Sequence, residues 1–379
     1  LIYTYGTGLG EAREWRMSDT QKGVAYDFNA GASFHANGTR YFYFCTKDGT
    51  RCISSAGDEK WHFQYGLTKP VAVSSGDKLA VGESKGRHIY VFDQNGLYYD
   101  VVLSEPALGF FINSNGYLAV VLQLEQGYAV NVYNQKNNSN PLFYRRIYES
   151  WLVPVAADVS EDGKFAAIAL LDTEVHLSLR VNFHYINQRD TTSPDGLFGA
   201  VLMQRQFPLA LKFLDKNRVV VATDERFACY ALGDMNACDL AWEMPLQNEL
   251  DLLAFGGGSH FAFVAGEKLL NEPEALEPGT LAFVSAGGDV TGTFEPGRKA
   301  THLSLGHGAA LVGAGRNFYA VSPKGVRLWE YVSLQDTRQM LFLENTDTVL
   351  LAGNARATVL KRVRQKLSEM QGDGFGLND

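Results

Sequence analysis

Short apolar stretches separated by polar turns recur along the whole chain. In the clearest copy, three such stretches lie at residues 70–73, 78–81 and 88–92, and the copy closes at the dipeptide Asn95-Gly96. Apolar residues either alternate with polar ones or run on continuously, and both patterns are typical of β-strands when turn residues bound them. The pattern therefore predicts a chain built from repeated groups of short strands.

Eight copies of this group can be recognised. Their first strands lie near residues 33–35, 70–73, 108–112, 153–159, 209–213, 250–255, 302–305 and 340–343. The spacing is close to the roughly 40 to 50 residues of a propeller blade. A fourth strand is expected in each connecting stretch, as at 60–63 and 327–331. We predict an all-β fold, a β-propeller of four-stranded antiparallel blades, with eight blades and seven as the alternative.

Helical periodicity is nearly absent from the sequence. Only residues 10–17 and 363–370 could form short helices. We divide the chain into an N-terminal lead-in at 1–22, the propeller at 23–361 and a polar C-terminal tail at 362–379. Because a ring of blades usually closes with a strand from the opposite terminus, we expect residues 24–28 or the C-terminal end to complete the first blade.

Two polar, proline-containing stretches, at 176–199 and 266–279, interrupt the repeated pattern of strands. Loops that protrude from a rigid scaffold often carry partner contacts, so we expect residues 188–196 and 266–279 to protrude from the propeller rim. The expected contact residues share a charged side chain and a position in these loops: Arg189, Asp190, Asp195, Glu272 and Glu274. The alternative is that each loop is solvated and binds nothing.

Composition excludes some functions. The formal net charge is −8, whereas a nucleic-acid binder needs a basic surface, so we predict no nucleic-acid partner. The four cysteines contain no C-x-x-C pair and the eight histidines no H-E-x-x-H motif. We therefore predict no catalytic residue, cofactor or metal ligand. Carboxylates that meet across a central channel leave no sequence signature, so a channel-site glycan hydrolase or lyase is the alternative function.

Cys45 and Cys52 flank a predicted hairpin. With Asp48-Gly49 as a two-residue turn, Cys45 lies directly opposite Cys52, with Cβ atoms about 4.5–5.5 Å apart. A disulfide prefers roughly 3.5–4.5 Å, so a bond here would be strained. The sequence leaves open a disulfide or two free, half-buried thiols, and oxidising surroundings outside the cytoplasm would favour the disulfide.

Two glycine and tryptophan pairs carry a resemblance. Gly57 precedes Trp61, and Gly325 precedes Trp329, with the same spacing, and Trp242 holds the same place in another blade. This resembles the tryptophan-docking repeat of quinoprotein-type eight-bladed propellers. The resemblance covers architecture only, because the adjacent cysteine pair and the calcium ligands of quinoprotein dehydrogenases have no counterpart.

A closer resemblance runs from about residue 40 to 360. The order of elements such as 46–49, 57–61, 69–73, 115–121, 159–163 and 181–183 is similar to that of an uncharacterised propeller family from Gram-positive bacteria. Its members have one N-terminal membrane helix followed by an extracytoplasmic propeller, and no assigned activity. The resemblance implies a membrane anchor ahead of Leu1 and a location outside the cytoplasm. We therefore predict a non-catalytic cell-surface propeller that presents rim loops and a channel face to a protein or cell-wall ligand.

Overall fold

The computed structural model describes residues 13–26, 32–174, 176–187, 193, 195–233, 237–256, 260–266 and 279–366. These residues form 32 β-strands, and the described ranges contain no helix. The strands make eight four-stranded antiparallel sheets, arranged as the blades of a propeller. The predicted all-β class and the count of eight blades are confirmed. No described segment could cross a membrane as a helix.

Seven blades are each built from four consecutive strands, the first innermost and the fourth at the outer edge. Blade 1 has β2 (Ser33–Ala36), β3 (Tyr41–Thr46), β4 (Gly49–Ser54) and β5 (Glu59–Gln64). Blade 2 has β6 (Pro70–Ser75), β7 (Lys78–Glu83), β8 (His88–Asp93) and β9 (Gly96–Val102). Blade 3 has β10 (Ala107–Ile112), β11 (Leu118–Gln123), β12 (Tyr128–Tyr133) and β13 (Phe143–Ile147). Blade 4 has β14 (Leu152–Val159), β15 (Phe165–Asp172), β16 (Ser178–Tyr185) and β17 (Leu197–Gln204).

The second half of the ring repeats this order. Blade 5 has β18 (Pro208–Phe213), β19 (Arg218–Thr223), β20 (Arg226–Leu232) and β21 (Cys238–Pro245). Blade 6 has β22 (Glu249–Phe255), β23 (His260–Gly266), β24 (Thr280–Ser285) and β25 (Val290–Phe294). Blade 7 has β26 (His302–Gly306), β27 (Ala309–Ala314), β28 (Asn317–Val321) and β29 (Arg327–Val332). Blade 8 has β30 (Gln339–Asn345), β31 (Thr348–Ala352), β32 (Arg356–Lys366) and, from the N-terminus, β1 (Arg13–Ala25).

The ring is closed by the two ends of the chain. Strand β1 pairs antiparallel with β32, from Arg13 opposite Lys366 to Ala25 opposite Arg356. The N-terminal strand therefore completes the last blade, and the expectation that a terminal strand completes the first blade is wrong. Both short helices predicted at the termini are also wrong where the structure describes them. Residues 13–16 lie in β1 directly opposite residues 363–366 in β32, so the backbone hydrogen bonds of both segments form between strands. Strands β1 and β32 run across the boundaries at 22 and 361, and the division into lead-in, propeller and tail stays a prediction.

The core lies between the blades. Eight clusters of buried apolar side chains each draw residues from two successive blades, one cluster at every junction. At the closing junction, Phe34 and Phe44 of blade 1 pack against Leu343 and Val359 of blade 8. Full burial of such a side chain stabilises the fold by about 1.5–3 kcal/mol. Because each blade covers its neighbour's apolar face, the ring folds as one body.

Three tryptophans join neighbouring blades. The indole N–H of Trp61 donates to the carbonyl oxygen of Gln94 at 3.2 Å, and that of Trp242 donates to Ala286 at 2.9 Å. Trp329 makes the same kind of bond to Thr346 at 2.7 Å. In each case an outer strand reaches a turn of the next blade. The predicted resemblance to tryptophan docking thus has a physical basis in this chain.

Candidate functional site

Asp195 lies in the described part of the chain; the other candidate contact residues, Arg189, Asp190, Glu272 and Glu274, lie outside it. The Asp195 carboxylate forms an ion pair with Arg145 on the outer strand of blade 3 and accepts hydrogen bonds from Ser193 Oγ and the Leu197 N–H. Burial alone would raise the pKa of Asp195, but these contacts outweigh it and hold that pKa below its usual range. Asp195 therefore joins blade 4 to blade 3, and its contact with a partner stays a prediction.

The cysteine hairpin has a different register from the predicted one. Cys45 lies opposite Thr50, and Cys52 lies opposite Tyr43, so the turn residues are Lys47-Asp48. The predicted pairing of Cys45 opposite Cys52 is wrong, and both residues are buried free thiols. Gly49 is the first residue of β4, and a Cβ atom there would lie 2.4 Å from the carbonyl oxygen of Phe63. A close approach of β5, rather than a turn conformation, requires this glycine.

The inner strands of the eight blades carry the carboxylates that a channel-site enzyme would need. The inner strands carry four carboxylates, Asp158, Glu249, Asp251 and Glu344. Asp158 is buried and accepts hydrogen bonds from the Phe213 N–H at 2.7 Å and from Lys212 Nζ at 3.2 Å. These bonds tie the inner strand of blade 4 to that of blade 5. Among the described side chains, no group of His, Cys, Asp and Glu could hold a metal ion.

The junction between blades 3 and 4 differs from that between blades 1 and 2. In the latter, Trp61 stacks on Phe92 at 5.5 Å, and Phe63 contacts Tyr90 at 5.5 Å between ring centroids. In the former, Phe143 meets the ring of His184 edge-on at 5.4 Å, and the two residues hold the strand positions of Trp61 and Phe92.

Two residues further along the outer strand, Arg145 takes the position of Phe63. Across the junction, Asn182 takes the position of Tyr90. Polar side chains have therefore replaced an aromatic pair.

Polar and apolar residues alternate along β16, and this strand supplies the polar side chains of the junction. Its side chains Ser178, Arg180, Asn182 and His184 lie on one face of the sheet, toward blade 3. The residues between them, such as Val181 and Phe183, pack against blade 5. Burial lowers the pKa of His184 to about 4, so its ring is neutral at pH 7.

A cleft of about 280 Å³ opens at this junction. We call it the interblade cleft, and it is lined chiefly by Arg145, Ile147, Arg180, Asn182, Leu197 and Leu202. A second hollow of about 320 Å³ shares Arg180 and Leu202 with it and extends toward Glu174 and Arg205. Three buried atoms at the junction have no hydrogen-bond partner in the protein: Arg145 Nε, Asn182 Oδ1 and His184 Nε2.

Exposed apolar side chains gather at one end of blade 4. In a ring of antiparallel blades, the connections between blades and the loops between second and third strands lie at the same end, here called the connection face. On this face, Tyr148, Trp151, Leu177, Phe207 and Leu209 are between 42% and 71% exposed. We call these five residues the blade 4 patch.

Backbone hydrogen bonds hold the loops of the patch together. The carbonyl oxygen of Trp151 accepts bonds from the N–H of Thr173 at 3.0 Å and from its hydroxyl at 2.9 Å. Ser178 pairs with Gln204, which brings the Leu177 loop beside the connection that leads to Phe207. The Phe207 N–H in turn donates to the Asp224 carboxylate at 2.7 Å. These bonds hold the loops that carry the patch beside one another.

The family of unknown function DUF5711 matches residues 28–361. The chain belongs to this family. No curated protein matches the sequence.

Among solved structures, BamB from Moraxella catarrhalis is similar, with a TM-score of 0.52 and 10% identity over 91% of this chain and 100% of that one. A structure described as the eukaryotic initiation factor has a TM-score of 0.56 and 12% identity, over 89% and 88%. The WD40 domain of Pan2 from Neurospora crassa has a TM-score of 0.48 and 12% identity, over 91% and 95%. At these identities the likeness to the first two structures shows the propeller fold alone.

Sequence reasoning missed both the interblade cleft and the blade 4 patch. One signal was available for the patch, because Trp151 lies after an outer strand. The docking tryptophans lie within their outer strands instead. The alternation of β16 was a signal for the cleft, since a strand between two blades is expected to be apolar on both faces. Reading it required knowing which face each blade turns to its neighbour.

Proposed function

We propose that the protein is a non-catalytic binding propeller and that a protein partner docks on the blade 4 patch. The observation that carries this proposal is the gathering of Tyr148, Trp151, Leu177, Phe207 and Leu209 as exposed side chains on one supported surface. Contiguous apolar patches on a folded surface usually mark interaction sites. The propeller fold supplies a rigid scaffold for such a surface.

The composition of the patch fits a protein partner. Aromatic residues are enriched at the centres of protein interfaces, where a tryptophan or tyrosine contributes a large contact area at small entropic cost. Charged residues surround the patch, with Glu149 and Glu174 beside Trp151 and Arg205 beside Phe207. A polar rim around an apolar centre is the usual arrangement of a protein interface.

We further propose that the protein acts outside the cytoplasm, held by an N-terminal membrane anchor. The support is the resemblance to anchored propellers of Gram-positive bacteria. Protease added to intact cells from which the wall has been removed would degrade the propeller if it lies outside. Protection of the propeller until the membrane is permeabilised would contradict this location.

Comparative capture from cell-envelope extract tests the docking site. The bait proteins are the wild type, the double variant Trp151→Ser and Phe207→Ser, and the control Leu334→Ser. Leu334 is 91% exposed and lies on the connection between blades 7 and 8, on the same face. We expect a protein that the wild type and the control retain and that the double variant loses at least tenfold. Equal retention by all three baits would contradict docking on the patch.

A further inference from the structure

The interblade cleft exists because polar side chains stand where another junction has aromatic ones. At the junction of blades 1 and 2, Phe63 contacts both Tyr90 and Phe92, at 5.5 and 5.3 Å between centroids. Arg145 and Asn182 occupy the positions of Phe63 and Tyr90 at the junction of blades 3 and 4. Asn182 is smaller than a tyrosine, and Arg145 is long and narrow where a phenylalanine has a ring. Between them lies a cleft of about 280 Å³.

The polar groups of the cleft are incompletely used by the protein. Asn182 is 8% exposed and lines the cleft, yet its carbonyl oxygen has no partner in the protein. One terminal nitrogen of Arg145 forms an ion pair with Asp195, while its Nε is buried without an acceptor. Buried polar atoms are ordinarily hydrogen-bonded, so the Nε–H of Arg145 is available to an acceptor of a bound molecule, and Asn182 Oδ1 is available to a donor.

The charges that face the cleft favour an anion. Arg145 and Arg180 supply two guanidinium groups, and Glu149 is the one carboxylate in the lining. Within the described residues, no carboxylate forms an ion pair with Arg180. His184, behind the cleft, is buried and neutral at pH 7. A guanidinium binds a carboxylate through two parallel hydrogen bonds, which a single-point ammonium cannot do.

The rest of the lining is apolar. Ile147, Leu152 and Leu170 lie on one side, and Leu197 and Leu202 come from the outer strand of blade 4. The cleft volume of about 280 Å³ lies just below the range of roughly 300–1,000 Å³ that is usual for ligand pockets. The cleft therefore has room for a small molecule but not for a folded segment.

We propose that the interblade cleft binds a carboxylate carried on a short apolar group, with Arg180 and Arg145 facing the carboxylate and the leucines holding the apolar group. The carboxylate could belong to a free organic acid or to the C-terminus of a short peptide. None of the cleft residues is one of the five residues of the blade 4 patch, although the lining residues Ile147, Glu149 and Leu152 are close in sequence to Tyr148 and Trp151.

Calorimetric titration of the full chain with matched probes tests the site. The probes are phenylacetate and hexanoate, their neutral amides, and the tripeptide Ala-Ala-Phe with a free or amidated C-terminus. We expect the carboxylates to bind and each amide to bind at least tenfold more weakly. A tripeptide at least tenfold tighter than phenylacetate would identify a peptide terminus as the source, and an equal or weaker one would identify a free acid.

Three variants locate the binding. Arg180→Gln should weaken the carboxylates at least tenfold, and Arg145→Phe, which restores an aromatic filling, should abolish their binding. Arg51→Gln removes one positive charge from an exposed ion pair on blade 1 and should leave binding unchanged.

Absence of binding by any carboxylate probe would overturn the proposal. So would amides that bind as tightly as their acids, or wild-type affinity in Arg180→Gln. Arg180 is partly exposed and carries no structural ion pair among the described residues, so its variant decides the question even where Arg145→Phe does not fold.

Discussion

Trp329 donates its indole N–H to the carbonyl oxygen of Thr346 at 2.7 Å, and so joins the outer strand of blade 7 to the first hairpin of blade 8. The ring of Trp329 is 7% exposed and meets Phe342 edge-on. The contact therefore combines a backbone hydrogen bond with buried aromatic surface at a junction close to the point of ring closure.

Replacing this tryptophan should lower stability. Trp329→Ala removes a buried ring and leaves the Thr346 carbonyl without its donor, for which we expect a loss of about 3–5 kcal/mol in the free energy of unfolding. Trp151→Ala removes an exposed ring and should change the free energy of unfolding by no more than about 0.5 kcal/mol. Urea denaturation followed by far-UV circular dichroism measures both. Equal losses in the two variants would contradict the docking role.

His184 should make stability depend on pH. Burial lowers its folded pKa to about 4, below the usual value of 6.5, so the unfolded chain binds more protons between these values. Its contribution to stability is complete above pH 6.5 and is lost as the pH falls toward 4. The shift corresponds to at most about 3 kcal/mol.

The variant His184→Gln isolates this contribution. Between pH 7 and 4.5 we expect its stability to fall less than that of the wild type, whereas His176→Gln, at an exposed position, should follow the wild type. Urea midpoints measured at half-unit pH steps give the comparison. A profile of His184→Gln that parallels the wild type would show that this histidine does not titrate as described.

All four cysteines should be free thiols. The register of β3 and β4 places Cys45 and Cys52 on diagonal positions, and burial raises the pKa of Cys45 to about 12 and that of Cys52 to about 11. Both should therefore resist alkylation in the folded protein. After unfolding without a reductant, mass spectrometry should find four alkylated cysteines. A peptide containing Cys45 and Cys52 that is two hydrogens lighter would instead show a disulfide.

Limited proteolysis tests the two predicted rim loops. Most of residues 188–196 and 266–279 lie outside the described part of the chain, so their protrusion stays a prediction. We expect the first cleavage in one of these two stretches. First cleavage within Leu118–Gln123, a strand whose first five residues are buried, would contradict the strand assignment.

The repeat was readable from the sequence because each blade needs the same short apolar strands and the same turns. The eight-blade count and the tryptophan positions followed from that local pattern. Strand β1 was not recognised, because polar and apolar residues alternate only from Glu14 to Ser18 and its partner strand lies at the opposite end of the chain. The Asp48-Gly49 turn was misplaced for a related reason, since the need for Gly49 arises from contact with Phe63 in another strand.

The candidate site depends on contacts between blades, which local patterns do not encode. The sequence around Arg145 does not distinguish it from other arginines on outer strands. Its place near Asn182 follows from the register of two neighbouring sheets. Asp195 was predicted as a partner contact because its loop is polar and long. In the structure its carboxylate is engaged by Arg145, a residue of another blade.

Site-specific photo-cross-linking tests the central claim most directly. The photoreactive residue p-benzoylphenylalanine replaces Trp151 in the patch or Leu334 on the same face, and the full-length protein is irradiated in its native cells. We predict a discrete cross-linked protein adduct from position 151 and none from position 334. Absence of an adduct at 151, or the same adduct at both positions, would contradict docking of a protein partner on the blade 4 patch.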